Sequence, residues 1–165
     1  MAFWRDIAQT YVAPGTVIRR LLARNPAERV LLIYVMGACL MSFLVRLPRL
    51  AHIYQPTAEA PLEAYFAASM VAGLIFAPLF FYAIAAVSQL IARMFGGQGT
   101  WKGSRLALFW CLLAAQPVNV FLENFSNYND LQNINRISSL MAAVWFLTIW
   151  GLAMRATLGT IQKTA

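Results

Sequence analysis

The stretch AYFAASMVAGLIFAPLFFYAIAAVSQLIA, residues Ala64–Ala92, carries no charged side chain. Along a helix at 1.5 Å per residue it would reach about 43 Å, beyond the ~30 Å hydrocarbon core of a bilayer. A soluble helix keeps one face polar, and this one has none to keep. Two readings fit the length. One is a single tilted helix, kinked at Pro78, whose end emerges from the bilayer. The other is a hairpin of two half-helices, each too short to span, which favours the single helix.

Working outward, Val30–Val45, Leu106–Leu122 and Ile137–Met154 are also free of charge. The first is short of the ~20 residues a span needs, but Arg29 and Arg46 at its ends can snorkel. Asn25-Pro26-Ala27-Glu28 reads as a helix start, with Asn25 as N-cap, Pro26 in the first turn and Glu28 placed for a capping box. Composition agrees: 61% of residues are hydrophobic and 12% charged, against ~25% charged in a soluble domain. The expected fold is an all-α polytopic membrane bundle of four transmembrane helices, approximately 26–46, 64–92, 105–122 and 137–155. The expected division is an N-terminal segment 1–25, a membrane domain 26–158 and a short tail 159–165.

The 13 basic residues divide unevenly between the two sides of such a bundle. Arg5, Arg19, Arg20, Arg24, Arg29, Arg93, Lys102, Arg105, Arg155 and Lys163 fall on one side, and Arg46, Arg49 and Arg136 on the other. The positive-inside rule puts the richer side, with both termini, in the cytoplasm. The opposite side holds residues 47–63, with Pro48, Pro56 and Pro61, and residues 123–136, rich in asparagine; both read as polar connections.

The N-terminal segment has its own pattern. Phe3, Trp4, Ile7 and Tyr11 share one helical face. After Pro14-Gly15, Val17, Ile18, Leu21 and Leu22 alternate with Arg19, Arg20 and Arg24. A basic amphipathic helix of this kind lies in the headgroup plane and contacts anionic lipid through its arginines; the alternative is a pre-helix packed on the end of the bundle. The net charge of +7 sits beside apolar runs, so lipid headgroups rather than nucleic acid are the expected counter-charge.

Residues with chemical potential are few. In Arg93-Met94-Phe95-Gly96-Gly97-Gln98-Gly99-Thr100-Trp101-Lys102, the glycines Gly96, Gly97 and Gly99 demand a tight turn. Thr100 or Ser104 can cap the next helix. Backbone amides there, with Lys102 and Arg105 beside them, could hold a lipid phosphate; the plainer reading is a connecting turn. No P-loop spacing is present. Gln116, Asn119 and Glu123 share one face of the third helix, and Ser88 and Gln89 lie in the second. Amides in hydrocarbon need partners, so this face is expected either to bridge helices or to line a small polar pathway near Pro117. No ionisable residue falls at mid-depth, where proton and ion paths need one. Cys39 and Cys111 read as small core residues, and His52 as a loop residue. No catalytic group, metal site or cofactor is expected.

The long apolar helix, the run Ala92–Trp101 and the following Ala114-Ala115-Gln116-Pro117 together resemble the Yip domain family. These are polytopic membrane proteins named for eukaryotic members that interact with Ypt/Rab GTPases. The close likeness covers residues 82–122, and the layout resembles the family over most of the chain. Family members usually have five crossings, whereas four are read here. The chain resembles the bacterial branch, without the long cytosolic amino terminus of the trafficking members, so Rab binding is not carried over. The resemblance and the uncharged mid-depth together imply a non-enzymatic scaffold, accessory subunit or lipid organiser of the bacterial inner membrane. Its expected partners are anionic lipid and other membrane proteins or a second copy. The competing reading is a small transporter or channel subunit using the polar face of the third helix.

Overall fold

The computed structural model describes residues 2–53, 61–128 and 132–158. The expected tail 159–165 lies outside them, as do residues 54–60 of the connection 47–63. Eight α-helices are present among the described residues: α1 Ala2–Val12, α2 Pro14–Ala23, α3 Glu28–Ile53, α4 Leu62–Val71, α5 Ala77–Met94, α6 Trp101–Ala114, α7 Gln116–Tyr128 and α8 Gln132–Leu158. Among these residues there is no strand. Four segments are long and apolar enough to cross a bilayer: Glu28–Pro48, Glu63–Met94, Trp101–Glu123 and Ser139–Leu158. The fold is an all-α membrane helix bundle.

The long apolar stretch is one continuous helical rod rather than a hairpin. Its α4 and α5 parts are joined by a π-helical turn, Ala72–Phe76. Pro78 explains the turn. Its ring collides with a carbonyl one turn back and it offers no amide hydrogen. Widening that turn to π geometry absorbs the collision without ending the helix.

Helix ends depart from the sequence reading at four places. Asn25 does not cap α3. It adopts a left-handed conformation, φ 43°, and its amide donates to Leu22 O at 2.9 Å, so it closes α2. Asparagine tolerates that conformation and proline commonly follows such an ending, which delays α3 to Glu28. At its other end α3 runs through Pro48 to Ile53. Pro48 lies about 30 Å along the axis from Glu28, at the bilayer edge, where water can satisfy the carbonyl it frees. Similarly, α7 extends to Tyr128 and α8 begins at Gln132, so the asparagine-rich region is mostly helical. The third span starts at Trp101, not 105, because Thr100 is its N-cap: Gly103 N donates to Thr100 Oγ1 at 3.0 Å.

The axis of the bundle is α6. Half of the most apolar window of its span, 50%, is buried, against 11% for the rod of α4 and α5. Leu106, Ala107, Leu108, Phe109, Trp110 and Cys111 are all buried, enclosed by α3, α5, α8 and the N-terminal pair. The core therefore occupies the half of the bundle that carries the Gly-rich turn, called the turn side below. In the far half the helices separate, and α7 packs chiefly on α3 and only lightly on α8.

The amphipathic face of α2 packs onto protein. Val17 and Ile18 are fully buried and Leu21 nearly so, against α8 and α6. Gly15 permits the approach: a Cβ there would stand 3.3 Å from Ala156 Cβ. Helix α1 leans against α6 as well. Ile7 is buried, the Phe3 ring meets Trp110 edge-on at 5.7 Å, and Trp4 remains 68% exposed. Tyr11 stacks on Trp145 at 5.2 Å, and its hydroxyl donates to Ala114 O at 2.6 Å. Ala114 lies about 13 Å along the third span from Arg105, so α1 reaches well below the headgroup layer.

Candidate functional site

Two regions gather polar side chains. The first is the Gly-rich turn. Gly97 N donates to Ala92 O at 2.9 Å and Gly96 N to Arg93 O at 3.0 Å, with Gly96 at φ +80°. That pair of bonds is a Schellman ending for α5. Gly97 and Gly99 serve closeness instead: a Cβ on either would stand 2.8 Å from Leu158 Cδ2 at the end of α8. Beneath the turn, Gln89 is fully buried. Its Nε2 donates to Gly99 O at 2.6 Å, and its Oε1 accepts from the Ser104 hydroxyl. One amide thus ties α5, the turn and α6 together, which is why a polar residue survives at that depth.

The basic residues around the turn have intramolecular partners. Lys102 Nζ donates to Asn25 Oδ1 at 2.7 Å, Arg105 Nη2 to Glu28 Oε1 at 2.8 Å, and the Arg93 guanidinium lies 4.9 Å over the Trp101 ring. On the N-terminal pair, Arg20 Nη1 meets Asp6 Oδ1 at 2.7 Å and Arg24 Nη1 meets Asp6 Oδ2 at 3.7 Å. Asp6 is itself buried. Beside it, Thr10 Oγ1 donates to Asp6 O at 2.7 Å and accepts from Trp110 Nε1 at 2.9 Å. Arg19 lies on the exposed face of α2. Of the sequence-nominated group, Gly96, Gly97, Gly99, Thr100, Lys102 and Arg105 come together at the turn, while Arg19, Arg20 and Arg24 sit on α2.

The second region is the far half. Pro117 removes an amide donor, and the third span breaks at Ala115. Gln116 bridges the break: its Nε2 donates to Leu112 O at 3.0 Å, and its Oε1 accepts from Ser42 Oγ at 3.1 Å. Two clefts open beside it. One, of about 550 Å³, lies between α3, the π turn, α5 and α7, and is lined by Arg46, Gln116 and Asn119. The other, of about 370 Å³, lies between α3, α7 and α8, and is lined by Arg46, Asn119 and Glu123. Gln116, Asn119 and Glu123 thus all border open space, and Gln116 also bridges helices.

Sequence reasoning missed Asp6 and Arg46. Asp6 is the only acid before Glu28, surrounded by arginines, and that isolation was the available signal. Arg46 reads as a boundary residue, and nothing in the sequence places it beside Asn119.

A family model described as the Yip1 domain matches residues 8–165. No curated protein and no solved structure matches the chain. The match extends far beyond the turn and its flanking helices, taking in α2 and all four spans. On that coverage, the chain belongs to the Yip1 domain family.

Proposed function

We propose that this membrane protein is a non-enzymatic scaffold or accessory subunit that holds other membrane components, with the turn side facing the cytoplasm. The supporting observation is an apolar lip around the turn. Met94 is 80% and Phe95 88% exposed, and both directly precede a turn anchored by Gln89 and Leu158. Such an apolar lip beside a fixed turn supports docking of another membrane component. The polar groups behind it are bonded to one another in structural bridges rather than arranged around a space where a reacting atom could sit. Family membership is compatible with this role.

The test is affinity purification of the full chain from its own membrane into a mild detergent, with quantitative mass spectrometry of membrane proteins. A stoichiometric partner should accompany the wild type and be lost with Met94→Ser/Phe95→Ser. A chain that purifies alone, with no stoichiometric partner, removes the reading.

The clefts around Ser42 and Asn119 favour a second reading, a small transporter or channel subunit. Proteoliposomes decide it. The scaffold reading expects solute leakage equal to that of empty vesicles, while leakage abolished by Asn119→Leu would favour transport.

A further inference from the structure

We propose that the cleft between α3, the π turn and α7 binds one anionic lipid, its phosphate on Arg46 and its acyl chain between α3 and α5. The cleft, about 550 Å³, is within the ~300–1,000 Å³ range of ligand sites. Its polar lining is Ser42, Ser69, Gln116, Asn119 and Arg46. That set holds one cation and no acid, whereas Glu123 lines only the neighbouring cleft. Among the described residues Arg46 has no ion-pair partner, and it is exposed. Asn119 adds an amide donor at the same rim.

Depth selects the ligand class. Arg46 lies about 27 Å along α3 from Glu28, close to one hydrocarbon thickness, so its guanidinium sits at the far headgroup level. The rest of the wall is apolar: Cys39, Phe43, Ala77, Phe81 and Leu112. Cys39 lies about 10 Å nearer the turn side than Arg46, which gives the cleft a cationic mouth and an apolar shaft. A soluble anion would leave that shaft empty. An acyl chain with a phosphate head fills both parts, and arginine binds phosphate through its planar fork. The π turn forms part of the wall through Ala72 and Gly73, and such turns recur at functional sites.

This inference sharpens the scaffold reading into lipid organisation, but its test needs no protein partner. The full chain is reconstituted in nanodiscs of phosphatidylcholine doped with phosphatidylglycerol, released into the gas phase, and its retained lipids are counted. Wild type should keep phosphatidylglycerol over phosphatidylcholine. Arg46→Gln should lower that preference about tenfold, the loss of one charge-assisted contact, and Arg46→Lys should restore part of it. Ala77→Phe, which fills the shaft, should remove both lipids. Circular dichroism melts confirm that each variant is folded, and a variant that unfolds is replaced by Phe81→Trp. Undiminished phosphatidylglycerol retention in folded Arg46→Gln, or in the folded shaft-filling variant, overturns the site. Displacement of the lipid by inorganic phosphate also overturns it, in favour of a soluble anion.

Discussion

Gln89 makes its environment depend on it. Replacing it with leucine leaves the Gly99 carbonyl and the Ser104 hydroxyl without partners in a buried place. The cost should be about 1–3 kcal/mol, read as a lower melting temperature in detergent. The glycines are unequal for a related reason. A Cβ at Gly97 meets Ala92 O, a backbone atom, at 2.8 Å, whereas at Gly99 the closest atom is the flexible end of Leu158. Gly97→Ala should therefore destabilise by about 1–3 kcal/mol and Gly99→Ala by less, in the same melts. The sequence made the turn legible, because three close glycines leave little else to infer. What the glycines approach was not legible, since Leu158 lies in a helix separated from them by two others.

At the scale of elements, the N-terminal pair shows what periodicity can and cannot tell. The spacing of Val17, Ile18 and Leu21 identified a helix with one apolar face, but an apolar face fits lipid and protein equally well. Here Gly15 and Ala156 admit protein. The arginines then differ in what they offer a membrane. Arg20 and Arg24 share Asp6, whereas Arg19 is exposed beside Arg155 of α8. A basic residue near an anionic surface contributes about 1 kcal/mol, so Arg19→Gln should lower the affinity of the nanodisc-reconstituted chain for phosphatidylglycerol over phosphatidylcholine roughly fivefold. Unchanged affinity would remove lipid contact from this helix.

The molecule as a whole is built unevenly along the membrane normal. Its turn-side half is a dense core around α6, and its far half is cleft. Ile18→Ala should cost about 2–4 kcal/mol, while Leu147→Ala, 56% exposed, should change stability by no more than about 0.5 kcal/mol. Paired thermal melts check both. The four spans were readable because charge in hydrocarbon is expensive, so its absence marks them. The far-side helix ends were not, because Pro48 and the asparagines favour turns in water, whereas here the helices persist into the bilayer edge.

The seating of α2 on α8 joins segments far apart in the sequence. A ribosome emits Val17 on the order of 10 s before Ala153, at about 5–20 residues per second. Throughout that interval the greasy side of α2 lacks its principal seat. A nascent chain stalled before α8 would display Val17, Ile18 and Leu21 to any chaperone or protease at the membrane, so the emergence of α8 is itself the event that conceals them.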